Sequence, residues 1–248
     1  MIAVLSPAKT LDLDTPPPFP ATPARFAAEA ATLAKAASHL TQKRLSELMK
    51  ISPALAKLNA DRFRDFDAAE ERPALYTFAG DVYTGLEAAT LDEPAVHFAQ
   101  DHLRLLSGLY GLLRPLDGMR PYRLEMGTRW APRRDKLTDW WGPRIADALA
   151  ADVAAEGSGT VLNLASNEYW EAVAGKLPAA IRVVAVDFRE ADDRFISFHA
   201  KKARGMMARY LVEHHVTDLD GMKAFDTADY RFDSDASDDA RWTFRRAA

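Results

Sequence analysis

The chain has 248 residues, 48% hydrophobic and 27% charged, the balance of a soluble globular domain. It contains no cysteine, which excludes disulfides, thiolate zinc sites, Cys-ligated clusters and a Cys nucleophile. The net charge of −4 argues on average against nucleic-acid binding. It hides an asymmetry, since 101–134 carries seven basic residues against three acidic ones while 217–240 carries eight aspartates against two cations.

In chain order, the apolar run Ile2 to Leu5, closed by Ser6-Pro7, predicts a strand buried on both faces. It is too short for a signal peptide and lacks a basic leader. No run approaches the ~18 residues of a membrane span, so a cytoplasmic protein with no membrane contact is expected. Five prolines between Thr15 and Pro23 predict an extended connection. Thr22-Pro23 then has the pattern of a helix start. Phe26, Ala30, Leu33, Ala37 and Leu40 mark one buried helical face. Thr41 and Ser52-Pro53 predict further helix starts. Leu75 to Phe78 reads as a strand, 94–103 as a helix and Arg104 to Ser107 as a strand that breaks at Gly108. The Gly-, Pro- and Arg-rich segment 108–134 predicts a long functional loop. Leu137 to Ala155 returns to helix. Thr160 to Ala165 predicts a strand leading into a helix near Ser166-Asn167-Glu168. Ile181 to Phe188 and Phe195 to Phe198 read as strands, and 200–215 as an amphipathic helix.

Alternating strands and helices give an α/β class with a mixed or mostly parallel sheet, in one compact domain spanning 1–248. Within it, 23–66 reads as a helical insertion or subdomain and 217–248 as an acidic C-terminal extension.

Ligands of α/β sheets collect at the carboxyl ends of strands. Here those ends carry Ser6 and Lys9, then Ser107 and Gly108, then Ser166, Asn167 and Glu168, then Lys201, Lys202 and Arg204. Small polar residues and cations on one rim suit an anion, above all a phosphate, and predict a positively charged cleft. Helix caps and solvated lysines explain any single member equally well. Lys201, Lys202 and Arg204 fall in the first turn of the expected helix, where cations oppose the macrodipole and a bound anion would offset the cost. The segment Leu106 to Gly111 resembles the hairpin of a helix-hairpin-helix element, with Gly108 and Gly111 three apart where two is usual. An ordinary strand-to-loop turn accounts for it equally well. No G-x-S-x-G, Walker A, H-E-x-x-H or G-x-G-x-x-G pattern occurs, so no catalytic residue can be named. No metal-ligand spacing is found, and no cofactor is expected.

Several longer stretches, in order, resemble one family. They are Ser6-Pro7-Ala8-Lys9-Thr10-Leu11, then Phe78 through Leu86 (F-A-G-D-V-Y-T-G-L), then Leu103 through Arg129 with R-P-Y-R-L-E-M-G-T-R. Val161 to Tyr169 and Ala200 to Met207 (A-K-K-A-R-G-M-M) complete the set. Together they are similar to the YaaA family, the bacterial peroxide stress proteins. The resemblance implies a single α/β fold with a positively charged cleft and binding of double-stranded DNA. It also implies a role in protection from hydrogen peroxide by limiting free intracellular iron and so oxidative damage.

Three readings follow. In the first, Lys9, Arg114, Arg120, Arg123, Arg129, Lys201, Lys202 and Arg204 contact the phosphates of double-stranded DNA, so that binding is nonspecific or shape-selective. In the second, an enzyme acts on a nucleotide or nucleic-acid base, held in a pocket by Ser6, Ser107, Gly108, Ser166, Asn167 and Glu168 with the cations on its phosphate. In the third, the protein binds or sequesters iron. Binding is favoured over catalysis, and a monomer over an oligomer.

Overall fold

Ile2, Ala3, Val4 and Leu5 are all fully buried, as a strand covered on both faces requires. In the computed structural model, which describes residues 1–247, they form β1 (Ile2–Leu5) within a seven-stranded sheet. The other strands are β2 (Leu103–Ser107), β3 (Gly111–Leu113), β4 (Thr160–Asn163), β5 (Arg182–Arg189), β6 (Tyr230–Asp233) and β7 (Arg241–Arg246). Their order across the sheet is β6-β7-β5-β4-β1-β2-β3. The four inner pairings are parallel and the two outer ones antiparallel. The molecule is a single α/β domain with a mostly parallel mixed sheet, as the sequence pattern predicts.

Three helices come first after β1: α1 (Ala27–Ser38), α2 (Gln42–Met49) and α3 (Pro53–Arg64). Thr41 and Ser52 cap the second and third, accepting from Arg44 N and Leu55 N. The first begins later than Thr22-Pro23 suggests. Thr22 is held in an extended bridge to Asp117, its N donating to Leu116 O at 2.7 Å and its carbonyl accepting from Gly118 N at 2.7 Å. Leu75 to Phe78 is also corrected: Ala74–Thr77 is a helical turn, and only Phe78–Ala79 is extended. Ala74 N and Leu75 N donate to Asp117 O and Pro115 O, and Thr77 Oγ1 donates to Pro73 O, so tertiary bonds override a strand-like composition.

Four further helices follow: α4 (Asp81–Leu86), α5 (Glu93–His102), α6 (Arg144–Glu156) and α7 (Asn167–Trp170). The expected helix from Leu137 is two pieces, Leu137–Trp141 and α6, parted at Gly142, whose φ is +56°. Phe195 to Phe198 is not a strand, because α8 (Ser197–Glu213) already starts at Ser197. Lys201, Lys202 and Arg204 therefore lie in its second turn. The acidic tail is not a mere appendage, since it supplies β6 and β7. Trp242 and Phe244 of β7 are buried, and Phe244 packs edge-on or tilted against Phe188, Phe225 and Phe232. Among the described residues no helix is long and apolar enough to cross a membrane.

Two features of the sheet make room for a ligand. The strand order reverses direction between β1 and β4, the switch point where crevices open in sheets of this class. In addition, β4 ends at Asn163, opposite Ala185, while β5 continues to Arg189 beside β7. The last four residues of β5 thus overhang the end of β4 and form a wall.

Candidate functional site

A cavity of about 780 Å³ occupies this step at the carboxyl ends of β1, β4 and β5. Its floor is built from the turns after β1 and β4. Ser6 Oγ accepts from Ser166 N at 2.9 Å and donates to Ser166 Oγ at 3.2 Å, which ties the two turns together. Asn163 Oδ1 accepts from Ala165 N at 2.9 Å, and the Tyr83 hydroxyl donates to Ser6 O at 3.2 Å. Burial pushes the hydroxyls of Tyr83, which lies outside the lining, and Tyr169, which is part of it, well above the ordinary tyrosine range, so both stay protonated.

The second wall comes from α8, fixed against α4 by two glycines. A Cβ on Gly85 would lie 2.0 Å from the Lys202 carbonyl oxygen, and one on Gly205 would lie 1.8 Å from that of Val82. Only hydrogen at both positions lets the helix backbones meet this closely. The contact sets the height of Lys201 and Arg204 in the cavity wall. Lys201 Nζ lies 3.3 Å from Asp81 Oδ2 at the start of α4.

Arg204 is the outlier. Its Nε is buried and has no hydrogen-bond partner within the protein. Burial pushes its guanidinium below the ordinary arginine range, and the charge of nearby Asp187 opposes the shift. Asp187 is itself engaged, its Oδ2 accepting from Arg189 Nε at 2.8 Å and from a terminal Arg189 nitrogen at 2.6 Å.

Of the residues singled out in the sequence, Ser6, Lys9, Ser166, Asn167, Glu168, Lys201 and Arg204 line this one cavity. The others lie elsewhere. Lys202 is absent from the lining. Arg114 is turned onto buried Asp117, at 3.1 Å. Arg120 pairs with Glu71 at 3.2 Å and covers the Phe66 ring. Arg123 donates twice to Glu125, whose other oxygen is 3.1 Å from Lys9 Nζ. Ser107 and Gly108 are buried in the hairpin joining β2 to β3. Ser107 Oγ is bonded to the Tyr122 hydroxyl at 2.6 Å and accepts from Tyr110 N. A Cβ on Gly108 would lie 2.1 Å from Leu124 O, so this glycine admits a neighbouring chain rather than facing solvent.

The lining also includes Asp81, Asp187, Arg189, Phe195 and Arg241, which sequence reasoning passed over. Asp187 and Arg189 were readable in one respect: two residues apart on an extended run, they share a face. Among the described residues no group of three or more His, Asp or Glu side chains is placed to hold a metal ion.

Arg129 lines a recess of about 200 Å³ with Lys136 and Glu171, next to the larger cavity. It opens a small hairpin in which Ala131 and Arg134 exchange backbone hydrogen bonds. Arg129, Arg133, Arg134 and Lys136 are exposed. None takes part in an ion pair among the described residues.

Comparison with known proteins places this architecture. The family model for peroxide stress protein YaaA matches residues 1–236. A UPF0246 protein of Rhizorhabdus wittichii is 58% identical over 249 residues, covering 98% of each chain. A UPF0246 protein of Cupriavidus metallidurans is 48% identical over 257 residues, covering 99% of this chain and 98% of its own. One of Ralstonia nicotianae is 47% identical over the full length of both. With the motifs in order along the chain and the family match running from β1 through β6, this protein belongs to the peroxide stress protein YaaA family.

Proposed function

We propose that this protein serves the response to peroxide stress by binding a phosphate-bearing ligand in the cavity at the carboxyl ends of β1, β4 and β5. The observation that carries this reading is Arg204, whose buried Nε has no partner inside the protein. An unpaired buried donor on a charged group is costly, and an anion beside the guanidinium of this cavity-lining residue would offset that cost through its charge. The lining as a whole leans the same way, with five cations (Lys9, Arg189, Lys201, Arg204 and Arg241) against three carboxylates (Asp81, Glu168 and Asp187). The volume falls within the range of small-molecule sites, roughly 300–1,000 Å³.

Calorimetric titration with inorganic phosphate and with ATP at low salt tests the reading. Saturable binding, with a raised melting temperature, is expected for the native chain and should weaken by a factor on the order of ten to a hundred in Arg204→Gln. Equal binding by both proteins, or none by either, would overturn it.

A second reading, nonspecific binding of double-stranded DNA, is favoured by the unpaired basic hairpin 129–136. Gly127 N donates to Glu168 Oε1 at 3.3 Å, so this cationic projection lies beside the cavity mouth. On either reading an effect on free iron is indirect, exerted by what the bound ligand or DNA controls. Duplex affinity that falls steeply with salt is expected, and affinity unchanged between low and moderate salt would remove this reading.

A further inference from the structure

We propose that the occupant of the cavity is a nucleotide, with its base stacked on Phe195 and its phosphate toward Arg204 and Lys201; this rests on the phosphate reading above. Phe195 is a large apolar side chain left 49% exposed on the cavity wall. An exposed ring set among polar groups on a cavity wall offers a ligand a stacking surface.

One side of the ring is already backed. The Arg189 guanidinium carbon lies 5.7 Å from the ring centroid. Arg189 is oriented for this by its double hydrogen bond to Asp187, which also offsets its charge. The result is a rigid, charge-compensated backing behind an aromatic ring that remains half open. That arrangement accepts a second planar ring and does not itself demand an anion.

The demand for an anion lies elsewhere in the same cavity, at Arg204 and Lys201. Free phosphate alone would leave Phe195 uncovered, and an aromatic ring alone would leave the charges of Arg204 and Lys201 unmet. A ligand carrying both a flat ring and a phosphate answers both, and a nucleotide joins the two through a sugar. The Ser6 and Ser166 hydroxyls and the Asn167 amide, also in the lining, suit the sugar and base edges.

The test uses the full chain, adenosine monophosphate, and ribose 5-phosphate as the same phosphate and sugar without the base. The native protein should bind adenosine monophosphate more tightly than ribose 5-phosphate. Phe195→Ala should weaken the nucleotide about tenfold or more while leaving ribose 5-phosphate within about twofold. Phe195→Trp should retain nucleotide binding, which separates stacking from damage to the fold. Equal affinities of the native protein for the two ligands, or an equal loss for both in Phe195→Ala, would overturn the base platform and leave the phosphate site standing. Failure of both ligands to bind the native protein would sink both readings.

Discussion

Arg104 on β2 and Asp152 on α6 are joined by a hydrogen-bonded ion pair of 2.6 Å, with Arg104 only 6% exposed. Arg25 donates to the other oxygen of the same carboxylate, so Asp152 ties the chain before α1 to the central sheet. Burial pushes the Asp152 carboxyl up, but the hydrogen bonds and charges of Arg25 and Arg104 outweigh it and hold it below its ordinary value of 3.8. A depressed folded value means that the pair's stabilisation is complete above that ordinary value and is lost as pH falls through the lower folded one. Stability should therefore decline as pH drops below about 4. Asp152→Asn should cost about 3 kcal/mol at neutral pH by leaving the Arg104 charge buried and unpaired. It should also flatten the acid limb. Urea melts of both proteins from pH 3 to 7 check this.

The glycine contact between α4 and α8 links stability to binding. Gly205→Ala places a methyl group against the Val82 carbonyl, and the two helices must part. The expected cost is about 1–3 kcal/mol, read as a melting temperature several degrees lower. Because the same contact sets Lys201 and Arg204 in the cavity wall, phosphate affinity should fall as well, although neither cation is altered. Thermal denaturation and calorimetry on one sample would measure both.

Glu125 holds Lys9 and Arg123 at once. Glu125→Gln removes that restraint and one negative charge near the cavity. Anion affinity should rise by on the order of 1 kcal/mol, about fivefold. The Lys9 arm contributes little, since Lys9 is largely exposed, but Arg123 and Glu125 are mostly buried and doubly hydrogen-bonded, so the variant should also lose about 1–3 kcal/mol of stability. Phosphate titration of the variant gives the comparison.

The basic hairpin makes a separate prediction for duplex DNA. Arg133 and Arg134 are exposed, and neither forms a salt bridge to a carboxylate. Changing both to Ala should leave folding unchanged and flatten the slope of log affinity against log salt by about two. Binding of inorganic phosphate in the cavity should be unaffected. Fluorescence anisotropy on a labelled duplex at several salt concentrations measures the slope.

Local physics made much of the fold legible. The unbroken apolar run of β1 could only be a doubly covered strand, and Thr41 and Ser52 cap helices as their side chains dictate. The strand-to-Ser166 turn was readable for the same reason. What failed depended on distant partners. Leu75 to Phe78 has strand-forming side chains, yet its backbone is claimed by carbonyls of residues 115 and 117. Strands β6 and β7 were hidden because arginines and aspartates flank their buried aromatics, which reads as a polar tail until β5 is found beside them.

The site divides in the same way. Lys9 stands at a strand end, which the sequence marks, while Lys201 and Arg204 reach the same cavity from the second turn of α8. Arg114 and Arg123 are drawn aside by carboxylates three and two residues away, a pairing visible in the sequence but outweighed there by their density of charge. The Lys201 to Asp81 contact joins residues 120 apart, and no local pattern encodes it.

The overhang of β5 beyond β4 has a consequence for how such a binding chamber can change. Its depth is a difference between the lengths of two hydrogen-bonded neighbours, so it changes by whole residues, in increments of roughly 3.3 Å. Lengthening β4 by two residues at the expense of the turn after it would shallow the chamber by about 7 Å while leaving the apolar interior untouched. Relatives that keep the same interior could thus accept occupants of different reach through insertions or deletions at a single strand end.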